Sequence, residues 1–240
     1  MSYRGARVAL DICVIGAGES RTLTAPDGDE AALVLLQGEA SFGDEPARRA
    51  SVFEERATAA YLPPAAGITV AAHTTAELAL VTTVGCKLAP GGTVALVRPA
   101  EVVVHDRGEP GWRRAVHDVI SETVPARHLL VGETFNEPGE WSSFPPHKHD
   151  GADGEPALEE VYYYRFDRPD GFGFQGLYEA NGEERAVMLR HGAIVGIPRG
   201  YHPVCAAPGY RLYYLWALVG AQRKLAMYED PAHRWLHTRA

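Results

Sequence analysis

The sequence has little sulfur chemistry. Its 240 residues include three cysteines, Cys13, Cys86 and Cys205, far apart in the chain. No pair has the spacing of a zinc knuckle or a redox motif. A sparse, odd set excludes a disulfide framework and fits a reducing compartment. Basic excess is also missing: 23 Lys and Arg stand against 31 Asp and Glu, a net charge of -8. That balance argues against nucleic acid as a partner, and an anionic ligand would need a local basic cluster. No apolar run approaches the ~20 residues that span a bilayer, so no membrane is expected. The opening "MSYRGARVALDICVIGAGES" lacks the apolar core and cleavage site of a secretion signal, so the expected location is cytoplasmic. Low-complexity segments are absent, and helical signals are few. "PGWRRAVHDVIS" reads as a short helix or an irregular connector, and "AQRKLAMYEDPAHRWLH" as a short helix with a tail.

What is present is a succession of short apolar runs bounded by Gly, Pro and Asp. "AALVLLQGEASF", "AELALVTTV", "RHLLVGETF", "EEVYYYRF", "GAIVGIP" and "YRLYYLWALVG" are examples. Many are rich in β-branched and aromatic residues, which predicts an all-β sandwich or barrel. The chain also echoes itself. "YLPPAAGITVAAHTTAELALVTTV" parallels "GIPRGYHPVCAAPGYRLYYLWALV": strand end, proline turn with glycine, small residues, then a long apolar strand. Repetition at half the chain length predicts a duplicated domain. Only the second copy carries "HKH" and a histidine close after its turn.

"FPPHKHD" holds the chemistry. On an extended strand, residues two apart share a face, so His147 and His149 project together and Lys148 faces away. Imidazole is the commonest metal ligand. "LEEVYYYRF" then offers Glu159 or Glu160, of which parity lets only one face inward. If it is Glu160, Tyr162 and Tyr164 share its face. His202 follows at the end of the "GIPRGYH" turn. Such N/O sets suit Zn, Fe, Mn or Ni, and an open coordination position marks a catalytic site. Each feature taken singly has a blander reading. His-x-His pairs are mostly surface or core histidines, the two glutamates are an exposed acidic pair, and His202 is a turn residue. "GAGES" is a turn, not a nucleotide loop. Cys205, near His202, reads as a small buried residue. His117 reads as structural.

The ordered blocks "RASVFEERATAAYLPP", "RRAVHDVI", "RHLLVGETFNEPGEWSSFPPHKHD", "LEEVYYYRF", "GFGFQGLY", "GAIVGIPRGYHPV" and "YYLWAL" resemble the 5-deoxy-glucuronate isomerases of bacterial myo-inositol breakdown. These are two-domain cupins related to the 5-keto-4-deoxyuronate isomerases. The resemblance covers most of the chain and implies two tandem jelly-roll-like barrels: an N-terminal one without ligands over residues 1–108, and a C-terminal metal-binding one over 109–240. By the same resemblance His147, His149, Glu160 and His202 are the metal ligands. Glu160 is preferred because it directly precedes Val161-Tyr162. The implied cofactor is a divalent ion, Zn first, with Mn or Fe as alternatives. The implied substrate is a small sugar acid undergoing aldose–ketose isomerisation. Tyr162, Tyr164 or an uncoordinated carboxylate is a candidate general base, and Arg199, Arg211 and Arg165 are candidates for the substrate carboxylate. Parity places Arg165 opposite Glu160, which counts against it. A homo-oligomer is implied as well. Competing readings are an isomerase of another uronate, a sugar-sensing cupin without turnover, and an Fe(II) dioxygenase, which would need O₂. The chain departs from the general pattern in the insertion "DGADGEPALE" after His149, a shorter turn before His202 and no asparagine after it. It is also somewhat short for the family.

Overall fold

The computed structural model describes residues 1–180 and 182–238. It is mostly β. Among the described residues the only helical elements are two 3-10 segments, Pro99–Glu101 and Pro231–Thr238. The chain forms two compact units, each drawn from three segments. One holds Met1–Val103, Asp118–Gly132 and Ala217–Val219. The other holds Val104–His117, Glu133–Trp216 and Gly220–Ala240.

Ala31–Phe42 is the central strand of the first unit. Its first half pairs with Ala59–Leu62 on one side and Ala76–Thr83 on the other. Its second half pairs with Glu45–Arg49 and Gly67–Ala72. The sequence explains this division. Ala31 to Leu36 is a continuous apolar run, buried on both faces, as a central strand requires. The register then shifts between Leu35 and Gln37, a bulge that bends the strand. Gly38 follows at φ +109°, where a Cβ would stand 2.5 Å from the Thr75 carbonyl oxygen, so only glycine fits. Leu33, Leu35, Phe42, Leu62, Val70 and Leu78 form the core beneath.

One carboxylate is buried in this unit. Glu30 accepts hydrogen bonds from the Tyr61 hydroxyl (2.8 Å) and from the backbone N–H groups of Arg127 (3.0 Å), His128 (2.6 Å) and Leu129 (2.8 Å). Four donors replace the water it has lost.

A six-stranded sheet carries Leu129–Asn136, Leu212–Val219, Glu159–Phe166 and Ile194–Ile197 side by side. The nine-stranded sheet carries Val8–Ile15, Ala76–Thr83, Ala31–Phe42 and Ala59–Leu62 in the same relation. Registers match too: Glu160 opposes Ile197 as Ala31 opposes Leu62. A four-stranded sheet, Trp141–Ser142, Val204–Ala206, Phe172–Tyr178 and Glu184–Arg190, and a two-stranded pair, His147–Lys148 with Tyr228–Glu229, complete the second unit.

Two segments differ from the sequence reading. The "PGWRRAVHDVIS" stretch is no helix; Arg114–Ile120 is a strand beside Leu129–Asn136. Its β-branched Val116, Val119 and Ile120 favour that pairing over an isolated turn of helix. Residues 221–229 are not helical either. Tyr228–Glu229 pairs as a strand, and helical geometry begins only at Pro231. A residue before proline avoids the α region, so the helix starts after Asp230.

Candidate metal centre

His147 and His149 flank Lys148 beside the two-stranded pair, and His202 ends the turn after Ile194–Ile197. All three are buried. Their ring centroids lie 5.1 Å (His147–His149), 4.9 Å (His147–His202) and 5.5 Å (His149–His202) apart. One ring nitrogen from each lies within 4.8 Å of the other two.

The orientation of each ring is fixed by the backbone. Nδ1 of His202 lies 2.9 Å from the Gly200 carbonyl oxygen, Nδ1 of His149 lies 3.0 Å from that of Ala226, and Nδ1 of His147 lies 3.4 Å from that of Pro145. A carbonyl only accepts, so each Nδ1 carries the proton and each Nε2 keeps its lone pair. Burial depresses all three rings. It holds His147 well below the ordinary value, with the neighbouring His202 adding to the effect, and takes His202 to about 3. His149 is lowered by the same cause.

Glu160 completes the set. Antiparallel pairing with Ile194–Ile197 places its Oε2 3.2 Å from His202 Nε2, yet neither atom has a hydrogen-bond partner. Burial pushes this carboxyl up to about 8. Two buried polar atoms without partners, aimed at the same place beside two more bare imidazole nitrogens, are costly unless a cation sits among them. The residues therefore fit a divalent metal. The parity question between Glu159 and Glu160 is resolved by geometry, since Glu160 is the one beside His202.

Tyrosines line the same side of the strand. The Tyr162 ring lies 6.0 Å from His202, and its hydroxyl bonds to Ser143 Oγ (3.1 Å). Tyr164 donates to Gln175 Oε1 (2.9 Å). Tyr214 stacks 4.6 Å from Tyr162 and donates to Ser142 Oγ (3.0 Å). The sequence reading had no role for Tyr214, Ser142, Ser143, Gln175 or Arg114. The serines lie within "EWSSFPPHKHD", and the alternation of "LYYLWALV" marks Tyr214 as sharing a face with Trp216 and Leu212.

The three arginines named from sequence have other neighbours. Arg165 lies over the Tyr163 ring, with Nε 3.3 Å from Tyr163 Oη, on the face of the strand opposite Glu160 and Tyr162. Arg199 is exposed and pairs with Glu179 at 2.9 Å. Arg211 pairs with Glu137 at 3.6 Å.

The insertion after His149 folds onto Lys148. Its ammonium contacts Asp150 (2.5 Å), Asp153 (2.9 Å) and Glu155 (2.9 Å). Burial works against that charge, and the three carboxylates outweigh it, so the ammonium is held above its ordinary value. Asp150 also accepts the Gly200 N–H at 3.3 Å, which ties the insertion to the turn that presents His202.

This mostly β architecture, with its strand order and its His/His/Glu/His cluster, is cupin-like. The chain belongs to the KduI/IolB family, which it matches over residues 2–236. It is 37% identical over 242 residues to a 5-deoxy-glucuronate isomerase of Geobacillus kaustophilus, covering 95% of this chain and 85% of that protein. A 5-deoxy-glucuronate isomerase of Bacillus subtilis strain 168 is 35% identical over 193 residues, 78% of this chain and 70% of that one. Among solved structures, an IolB-like protein from Salmonella typhimurium LT2 superposes with a TM-score of 0.86 at 34% identity, covering 96% of this chain and 90% of that one. An oxalate decarboxylase of Lactobacillus farciminis shares the fold alone, at 12% identity and a TM-score of 0.66 over 98% of this chain and 82% of that one.

Proposed function

We propose that this chain is a metal-dependent aldose–ketose isomerase that converts 5-deoxy-D-glucuronate to 2-deoxy-5-keto-D-gluconate in myo-inositol catabolism. The kinship with proteins named 5-deoxy-glucuronate isomerase supports an enzyme of the isomerase class. The observation that carries the metal is the pair of partnerless atoms, His202 Nε2 and Glu160 Oε2, inside a ring of oriented histidines.

His147, His149, Glu160 and His202 would hold the ion, Zn first and Mn or Fe as alternatives. A bound divalent ion supplies Lewis acidity toward the substrate carbonyl and its neighbouring hydroxyl. The rest falls to this chain's own groups. The reaction moves one proton from C2 to C1 and one from the C2 hydroxyl to the carbonyl oxygen, with no net redox change. Tyr162 would carry a proton at its Oη, a role supported by its position on the Glu160 face of the strand and its bond to Ser143 Oγ. Burial raises its phenol well above the ordinary value in the metal-free protein, which supports a first role as proton donor. Tyr164 is turned to Gln175 and packs against Tyr162.

The two units are read as tandem cupin modules with the chemistry in the second. The recurrent strand order supports this, as does the first unit's composition at the matching positions. Ala31 stands where Glu160 does, and counting on from Leu62 as from Ile197 to His202 arrives at Gly67. A cytoplasmic homo-oligomer is part of the same reading. Trp141, Cys205, Phe174 and Met188 face one another across the four-stranded sheet, with Trp141, Phe174 and Met188 exposed, which supports self-association.

The test is an anaerobic assay with 5-deoxy-D-glucuronate and Zn²⁺ or Mn²⁺, following the ketone by NMR. Wild type should give metal-dependent product, and His147→Ala/His149→Ala should give none. Folded, metal-loaded wild type without product would overturn the substrate assignment. A requirement for O₂ would overturn the reaction class.

A further inference from the structure

We propose that Arg114 grips the carboxylate of the sugar acid, a role that rests on the isomerase reading of the neighbouring centre. Arg114 opens the strand Arg114–Ile120 and is half-buried. Its Nη1 donates to the Trp112 carbonyl oxygen at 3.2 Å. Among the described residues no ion pair includes Arg114, and the Glu229 carboxylate acts on it only from beyond ion-pair distance. A guanidinium has five N–H donors in a planar fork, and one backbone carbonyl leaves most of them open. Removing such a charge from water without a partner is costly, and a ligand carboxylate would meet the fork in two parallel hydrogen bonds.

The position suits the substrate. The charge of Arg114 lies within electrostatic reach of His147, Tyr162 and Tyr214. These are a metal ligand, the proposed proton donor and the ring stacked on that donor. The geometry links Arg114 to the same segment: Arg114 bonds to the Trp112 carbonyl, and the Trp112 ring packs 5.5 Å from Phe144, three residues before His147, while the carboxylate of a sugar acid lies at the far end of its chain from the aldehyde.

The backbone around the fork is shaped for it. Gly108 has φ +83°, and a Cβ there would lie 2.9 Å from Arg114 Nη1 and 2.1 Å from the Trp112 oxygen. Trp112 N–H closes the turn on the Glu109 carbonyl (2.9 Å), Trp141 N–H bonds to the Gly111 carbonyl (2.9 Å), and the Trp112 ring packs 5.5 Å from Phe144. The guanidinium is therefore held in place before any ligand arrives, which lowers the entropy lost on binding.

The experiment compares 5-deoxy-D-glucuronate with its neutral counterpart, in which the carboxylate is a hydroxymethyl group. Arg114→Gln and Arg114→Lys are the variants. Arg114→Gln is expected to lower kcat/KM for the acid by about 100-fold, mostly through KM, as loss of one partner of a buried charge pair does. It should leave the neutral sugar unchanged. Arg114→Lys should recover part of the loss. Equal losses on both sugars, or wild-type selectivity in Arg114→Gln, overturn the proposal. Binding of D-glucuronate against D-glucose by ligand-observed NMR, to zinc-loaded protein, separates this inference from the reaction assignment. Should wild type turn over neither compound, the isomerase reading fails, while preference for the acid that Arg114→Gln abolishes still sustains the carboxylate site. Wild type without preference for the acid overturns it. If Arg114→Gln does not fold, Arg114→Lys decides by the same acid-to-neutral ratio: a reduced ratio sustains the proposal and an unchanged one overturns it.

Discussion

His147, His149 and His202 would meet a divalent ion already unprotonated, because burial holds each ring below its ordinary value, whereas Glu160 is pushed up to about 8. Below pH 8 an incoming divalent ion must therefore displace one proton, from Glu160, and none from the rings. The sign follows: affinity rises with pH, by about one log unit per pH unit, and levels off above pH 8. Zn²⁺ titrations at pH 7 in two buffers of different ionisation heat should report release of about one proton, and Glu160→Gln should release none. Release of about two protons or more would mean that one or more of the histidines are charged in the metal-free protein. Tyr162→Phe should lower kcat by roughly 100-fold or more while Zn²⁺ affinity stays within a few-fold, since its hydroxyl serves the proton and not the ion. At this scale the sequence was informative where parity rules. His147 and His149 could be placed on one face, and Tyr162 with Glu160. Spacing could not choose between two adjacent glutamates. Nor could it single out Arg114, whose surroundings are set by the turn from Gly108 to Trp112.

Short elements orient the ligands. Tyr228–Glu229 pairs with His147–Lys148, and the Ala226 carbonyl just before it holds the His149 ring. The Asp230 N–H bonds to the Pro146 carbonyl (2.8 Å), and Tyr178 donates to Asp230 Oδ2 (2.7 Å). Lys148 performs a similar service from the other face, drawing in the insertion whose Asp150 reaches Gly200. Lys148→Met would leave Asp150, Asp153 and Glu155 facing each other without their cation. Zn²⁺ affinity should fall about 10- to 100-fold, the usual effect of removing support behind metal ligands, while the far-ultraviolet spectrum stays β-type. Unchanged affinity would show that the insertion is a passive loop. These elements were poorly legible. "AQRKLAMYED" has helix-forming composition, but its conformation is set by pairing with a strand some 80 residues earlier, a long-range contact that overrides local propensity. Arg114–Ile120 was misread for the same reason, its identity resting on its neighbour Leu129–Asn136.

The whole molecule repeats one strand order and uses it differently. Where the second copy places Glu160, the first has Ala31, and its buried carboxylate, Glu30, serves the fold. Tyr61 and three successive backbone N–H groups depend on it. Glu30→Ala would strand these donors in the interior, so stability should drop by about 3 kcal/mol or more, since each buried donor left unpaired costs about 1–3 kcal/mol. Chemical denaturation of the metal-free protein would show it, with Zn²⁺ stoichiometry unchanged in the folded fraction. This scale was the most legible. Apolar runs bounded by glycine and proline gave the β class, while the echo of "YLPPAAGI" in "GIPRGYH" belongs to the proposed reading of two tandem modules. Both signals are local in sequence and survive without knowledge of contacts. The spread of the centre along the chain has a consequence for biosynthesis. Its imidazoles are presented at 147, 149 and 202, but the carbonyl that aims His149 belongs to residue 226. A nascent chain stalled anywhere between 202 and 226 already owns every ligand and still cannot point one of them. Translation must run past residue 226 before an ion would meet a fully oriented set, so metal capture would report on a segment made well after the last ligand.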